Sequence, residues 1–243
     1  MSTLIYTESS SSPLDHIAAI NASPTKPPVP SQPSYGIDSP LGLVFSNALS
    51  PLYLYATLKG KHDLWSALLS SLPETAFAHP TLDAGCGRGM VLLQVARRKQ
   101  ALGHSGSDMR SYGIDIFARD QTGNAPEATW QNVAAAGLTD SVVLHTASFT
   151  ETLPFNEGVF GVVTSSLAVH NTHKEGRRAA VKEMARVCRP GGWLVLVDLA
   201  GYVGGYEEVL KALGWTEVAS KWGGAGVMFG MWPCMVLKAR KPE

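Results

Sequence analysis

The stretch T-L-D-A-G-C-G-R-G-M-V-L-L, Thr81 to Leu93, decides the fold: an apolar strand runs into a glycine turn, and the turn runs straight into a helix. Gly85, Gly87 and Gly89 carry no Cβ, which allows a tight bend and lets a ligand approach the backbone closely at a helix N-terminus. Their spacing is G-x-G-x-G. A dinucleotide fingerprint, G-x-G-x-x-G, needs glycine where this chain has Met90. Asp83 places a carboxylate just ahead of the turn, where a pyrophosphate is repelled and an ammonium or sulfonium attracted. The turn therefore suits a cationic adenosyl ligand better than a dinucleotide. One β-α unit later, Asp115 in S-Y-G-I-D-I-F ends the next strand-like run, at a place where a carboxylate can accept from both ribose hydroxyls. By itself it reads equally well as a turn acid at a strand end.

Outward from this stretch, short β-rich runs alternate with helical ones, the pattern of parallel β-α-β units. Seven strands are predicted, centred on Thr81 to Ala84, Ser111 to Ile116, Ser141 to Thr146, Val159 to Ser165, Trp193 to Leu199, Trp215 to Ser220 and Pro233 to Ala239. The first intervening helix runs from Gly89 to about Leu102, with Arg97, Arg98 and Lys99 at its negative end and Gly103 beyond. The second has Pro126 in its first turn, Trp130, Val133 and Ala134 on one face, and Gly137 as its stop. The third starts with Thr172 and Glu175 in capping-box spacing, carries Ala180, Val181, Met184, Val187 and Cys188 as a stripe, and ends at Arg189 and Pro190. The fold class is α/β, a Rossmann-like, mostly parallel sheet of seven strands with helices on both faces.

Upstream, residues 1–40 are rich in Ser and Pro, and P-T-K-P-P-V-P from Pro24 to Pro30 buries too little apolar surface to offset ordering entropy; a mobile tail is expected. Residues 41–72 turn apolar, with Leu64, Trp65, Leu68, Leu69 and Leu72 at helical spacing, and are expected to form a helical appendage that either packs on the core or caps a pocket. Residues 73–243 form the main domain.

The 243 residues are 45% hydrophobic and 16% charged, and the 20 Lys+Arg balance the 20 Asp+Glu. Zero net charge gives no sign of a polyphosphate or acidic-lipid partner, so a small acceptor is expected and nucleic acid is not. Cys86, Cys188 and Cys234 lie far apart with no C-x-x-C spacing, which indicates neither a disulfide framework nor a metal site and fits the cytoplasm. No Lys or Arg precedes an apolar run in the first ten residues and no Arg precedes Arg88, so neither a secretory signal nor a mitochondrial presequence is expected. The run from Leu41 to Leu58 is interrupted by Asn47, two serines and Pro51, and membrane association is not expected.

Several blocks together resemble the class I S-adenosylmethionine-dependent methyltransferases over Pro73 to Pro242. L-D-A-G-C-G-R-G is similar to that family's first motif, G-I-D-I-F to its acidic second-strand motif, and L-P-F at Leu153 to Phe155 to the loop before strand four. V-V-T-S-S-L-A-V-H-N at Val162 to Asn171 resembles the strand-four motif, and A-R-V-C-R-P-G-G-W-L-V-L-V-D the helix leading into strand five. D-Q-T-G-N-A-P-E-A-T-W-Q-N at Asp120 to Asn132 looks like the mark of one branch with no particular substrate attached. The resemblance implies S-adenosylmethionine as cofactor. It places Asp83, Gly85, Cys86, Gly87 and Gly89 around the methionine part, Asp115 on the ribose and Ile116 on the adenine, with Ser165 also lining the site. Many relatives have Asp shortly before L-P-F; here Ser148 and Phe149 stand nearest that role. Gly161 departs from the family's usual Asp.

Methyl transfer needs acceptor and methyl held in line in a dry pocket more than it needs a strong base. Where a proton must leave, His170 at the end of strand four is the candidate, with Asn171, His173 and Asp198 behind it; a satisfied structural imidazole is the bland alternative. G-G-A-G-V-M-F-G-M-W-P from Gly223 to Pro233 either walls an apolar pocket or is a glycine-rich hairpin into the last strand. Tyr35, Tyr53, Tyr55 and Trp65 either close that pocket or pack. The competing functions are a non-methylating rearrangement or cyclisation on the same cofactor, a non-catalytic partner subunit, and a nicotinamide dehydrogenase.

Overall fold

The computed structural model describes residues 5–7, 13–36, 50–104, 106, 109–117, 124–229 and 232–243. In chain order the strands are β1 (Thr81–Ala84), β2 (Ser111–Asp115), β3 (Val142–Thr146), β4 (Phe160–Ser166), β5 (Cys188–Leu199), β6 (Glu217–Trp222), β7 (Met228–Phe229) and β8 (Trp232–Arg240). The helices are α1 (His16–Ala22), α2 (Ser50–Tyr55), α3 (Lys61–Ser70), α4 (Met90–Ala101), α5 (Pro126–Ala135), α6 (Lys174–Val187) and α7 (Ala200–Ala212). The sheet order is β3-β2-β1-β4-β5-β8-β6, with β7 paired to β8 alone. β1 to β5 are parallel; β8 runs antiparallel to β5 and β6.

The strand sequences explain the two-sided burial. On β5, Leu194 and Leu196 join one core cluster with Ala180, Val181 and Met184 of α6 and Val209 and Leu210 of α7. Val195 and Val197 join the opposite cluster with Trp65 and Leu68 of α3 and Val91 and Val95 of α4. Alternation puts successive residues on opposite faces, so continuous apolar runs signal a strand covered on both. The chain leaves β1 outward to β2 and β3 and returns to β4 on β1's other side, so the topological switch lies between the ends of β1 and β4, where α/β sheets bind ligands.

All seven predicted strands are present, shifted by a few residues; β5 starts earlier than expected because α6 passes straight into it at Cys188. The expected Thr172 cap is not formed: His173 holds the cap position of α6 without a side-chain bond, and the Thr172 hydroxyl donates to the Val169 carbonyl at 3.1 Å. Residues 41–49 of the expected appendage lie outside the described residues, as do residues 118–123, which include the start of the D-Q-T-G-N stretch. From Ser50 the appendage is helical, α2 joining α3 through a π-helical turn at Ala56–Gly60. Among the described residues, no helix is long and apolar enough to cross a membrane.

The expected mobile tail is corrected by the structure. Tyr6 forms an antiparallel bridge with Phe155, Ile17 of α1 is buried, and the Asp15 carboxylate both caps α1 at Ile17 N and accepts from Leu144 N at 3.2 Å. β3 is an edge strand, and an edge with open amides favours a cover even from a sequence poor in apolar residues.

Candidate active site

The glycine turn takes the left-handed backbone its residues suit: φ is +74° at Gly85, +52° at Gly87 and +85° at Gly89. Their surroundings differ. A Cβ on Gly85 would sit 2.4 Å from Ala168 Cβ, whereas one on Gly87 would meet nothing within 4 Å. Gly85 is thus demanded by packing and Gly87 borders open space. That space is a cavity of about 790 Å³ lined by Gly85, Cys86, Gly87 and Arg88, by Asp115 and Ile116, by Ser148 and Phe149, and by Leu167, Ala168 and His170. Gly89 stays out of the lining and caps α4.

Asp115 lies at the mouth of the turn. Its Oδ2 accepts from Gly87 N at 2.9 Å, and its Oδ1 accepts from Phe117 N at 2.9 Å and from Asn124 Nδ2 at 2.8 Å. Asp83 borders the same cavity but is 3% exposed, and its oxygens accept from Leu92 N at 3.0 Å and Thr164 Oγ1 at 2.8 Å. Burial pushes its carboxyl up to about 7 against those two bonds, so Asp83 first of all ties β1 to α4 and β4. Cys86 is buried beside both carboxylates, and desolvation raises its thiol well above the ordinary range.

Ser165, like Gly89, was expected at the site and lies outside the lining. Its hydroxyl donates to the Ala84 carbonyl at 2.6 Å and it is absent from the lining; Ser166, Leu167 and Ala168 hold that wall instead. Ile116 is 59% exposed, an apolar side chain at the cavity beside Asp115. Ser148 shares a 2.7 Å bond with Thr150.

His170 Nδ1 lies 2.6 Å from Asp198 Oδ1, and the His170 amide donates to Oδ2 at 3.0 Å. Asp198 is also held by Leu199 N and by the Tyr206 hydroxyl at 3.0 Å. Burial and the neighbouring carboxylate raise the Tyr206 phenol, so it remains a donor. An ionised carboxylate only accepts, so Nδ1 carries the proton and Nε2 is left as the imidazole's acceptor. The ring is stacked on Tyr202 at 13° and lies 5.5 Å from Phe229. Asn171 lines the cavity and His173 does not. Of the aromatic residues expected to close the pocket, Tyr35 and Phe229 line it, Tyr53 and Trp65 are buried core, and Tyr55 and Trp232 are exposed. Gly161 has a local explanation: a Cβ there would come 2.3 Å from the Ala76 carbonyl oxygen, leaving no room for Asp.

Residues 82–196 match the family model described as "Methyltransferase domain". The match supports a class I S-adenosylmethionine-dependent methyltransferase. Demethylmenaquinone methyltransferase of Beutenbergia cavernae is 30% identical over 142 residues, 58% of this chain and 54% of that protein. The human U6 snRNA (guanine-N(2))-methyltransferase THUMPD2 is 29% identical over 131 residues, 53% of this chain and 24% of that protein. The chain thus spans about half of the first relative and about a quarter of the second. Magnesium protoporphyrin IX methyltransferase (ChlM) from Synechocystis, solved with bound S-adenosylmethionine, shares the fold at a TM-score of 0.55 and 14% identity, covering 75% of this chain and 80% of that one. The [4+2]-cyclase SpnF shares it at a TM-score of 0.57 and 16% identity, covering 85% and 99%. S-adenosylmethionine is the family's cofactor.

Sequence reasoning did not single out Lys61, Asn124 or Leu167, all of which line the methyltransferase domain's cavity. Asn124 was within reach, standing in the quoted branch motif. Lys61 lies in the appendage, whose placement no local pattern encodes.

Proposed function

We propose that this chain transfers a methyl group from S-adenosylmethionine to a small-molecule acceptor in the cytoplasm. The observation that carries the reading is a single cavity joining the glycine turn and Asp115 to the part-buried His170–Asp198 pair. The residues present suit the cofactor. Gly87 leaves open space, Ile116 offers an apolar platform for a base, and the Arg88 Nε, buried without a hydrogen-bond partner, is a donor suited to a carboxylate. Asp115 is the ribose-side carboxylate, the turn around Gly85, Cys86 and Gly87 cradles the methionine part, and Ser148 and Phe149 flank the adenine.

When bound, the sulfonium cofactor would supply a methyl group to an acceptor lone pair, with its sulfur leaving as a neutral thioether. His170 can orient an acceptor hydroxyl or take its proton at Nε2, with the resulting imidazolium stabilised by Asp198. Phe229, Leu167 and Tyr35 exclude water around that point. A small acceptor is favoured by the zero net charge and by the apolar wall beside His170. The three cysteines are buried and unbridged, as a reducing compartment allows.

Incubation with S-adenosylmethionine labelled in its methyl group, alongside a cell metabolite extract or total RNA, tests the reading. Label in a small molecule, lost in His170→Ala, is the expected result. Label in RNA would overturn the acceptor class. No label in either, from protein that binds the cofactor, would favour a non-methylating reaction or a non-catalytic role.

A further inference from the structure

Helix α7 carries two tyrosines to which the reading above gives no part. Tyr202 and Tyr206 stand four residues apart, so they share a helix face, and both reach the His170–Asp198 pair. Tyr202 lies nearly parallel to the imidazole, at 13° with 6.4 Å between ring centroids. The Arg177 guanidinium of α6 sits 4.4 Å from the Tyr202 ring and donates to the Thr172 carbonyl, which ties Tyr202 to the loop that carries His170. Phe229 of β7 meets the imidazole at 59°. The ring of His170 thus has aromatic neighbours from two elements.

Asp198 is 2% exposed and has four donors, two on each oxygen. Oδ1 accepts from His170 Nδ1 and from Leu199 N at 2.8 Å, and Oδ2 accepts from His170 N and from the Tyr206 hydroxyl. Two of the four are backbone amides, which any residues at those positions would supply, and one is the imidazole itself. Among the described residues, Tyr206 is the one side chain outside the pair that donates to Asp198. Phenylalanine would fill the same buried space without that bond. A donor to a carboxylate draws charge from it, which weakens its hold on an imidazolium and lowers the basicity of the imidazole. We propose that Tyr202 and Tyr206 are positioning residues for His170: Tyr202 fixes the plane of the imidazole, and Tyr206, through Asp198, sets how readily Nε2 takes a proton. This rests on the reading of His170 as the group that meets the acceptor. The other charged or titratable groups around the pair are Arg177, against Tyr202, and Lys61 and Tyr35, which line the same cavity.

Nitrogen NMR of the isotope-labelled full chain tests this without an acceptor, the His170 signals being those that vanish in His170→Gln. In the wild type, neutral His170 should carry its proton on Nδ1. Tyr206→Phe should keep the fold and raise the midpoint of the His170 titration by about half a pH unit or more, because Asp198 then holds the imidazolium more tightly. Tyr202→Ala should let the ring turn and lose the fixed Nδ1–H signal, and Tyr202→Phe, which keeps the flat neighbour, should restore it. An unchanged or lowered midpoint in folded Tyr206→Phe would overturn the proposal, since it marks a phenol that only fills space. So would a Tyr202→Ala variant with the wild-type signal. If Tyr206→Phe does not fold, the wild type decides: neutral His170 protonated on Nε2 contradicts the arrangement. Failure of the underlying reading looks different. Should Tyr206→Phe shift as expected while His170→Ala still passes methyl label from S-adenosylmethionine to a small molecule of a metabolite extract, the acceptor-side role of His170 falls, and the tyrosines hold a structural imidazole.

Discussion

Gly85 and Gly87 have the same backbone hand and opposite mutational consequences. Gly85→Ala drives a methyl group into Ala168 and Phe149, so the fold should lose stability, read as a lower melting temperature without ligand. Gly87→Val adds bulk only to open space, so the protein should fold near normally and fail to bind S-adenosylhomocysteine in calorimetry. The residual cost is that of a branched side chain at φ +52°, roughly 1–2 kcal/mol. Asp115→Ala removes a charge-assisted contact worth about 1.5–3 kcal/mol and frees Gly87 N and Asn124 as well. Unchanged cofactor affinity in that variant would remove Asp115 from the site. The glycines and Asp115 were legible in the sequence because a residue type at a turn carries its own backbone conformation and charge. The Ser165 error has the period of a strand as its cause: neighbouring serines on β4 point to opposite sides, and only the placed strand shows that Ser166 faces the cavity while Ser165 bonds β1.

Among the elements, α4 carries a burial the sequence disguised. Lys99 stands in the last turn, where a cation suits the helix dipole, yet it is 2% exposed, with its Nζ donating to the His79 carbonyl at 2.5 Å. Desolvation pulls its ammonium down to about 7 from 10.5. The sign follows: between these values the unfolded chain holds the proton and the folded chain does not, so this group makes stability rise with pH above neutrality. Lys99→Met should flatten the rise in chemical-denaturation stability between pH 7 and 10; an unchanged slope would show that Lys99 titrates normally in the fold. The strand and helix order was readable from apolar period and from Gly and Pro punctuation. The ordering of α1 was not, because Asp15 and Tyr6 gain their partners only on the β3 edge and at Phe155, more than a hundred residues away. α7 was expected between two strands but without bounds: its sequence A-G-Y-V-G-G-Y-E-E-V-L-K-A contains three glycines, which local propensity counts against a helix, while Val203, Tyr206, Val209 and Leu210 bury one face of it.

For the whole molecule, the sheet's switch point, the glycine turn and the His170–Asp198 pair all meet at one cavity, and the segment carrying Tyr35 is tied to the same place. Asn132 accepts from Ser34 N at 2.8 Å, donates to Ser34 O at 3.0 Å and donates to Arg88 O, so it joins that segment to the turn. Asn132→Ala should therefore raise the KM for the cofactor more than it lowers kcat, and a pure loss of kcat would contradict that coupling. Titration calorimetry of the full chain with S-adenosylhomocysteine and, separately, NAD decides whether that cavity is a sulfonium-nucleoside site. One S-adenosylhomocysteine should bind per chain, Gly87→Val should abolish that binding, and NAD should give no heat. Preferential binding of NAD, or Gly87→Val binding as tightly as wild type, would contradict that assignment.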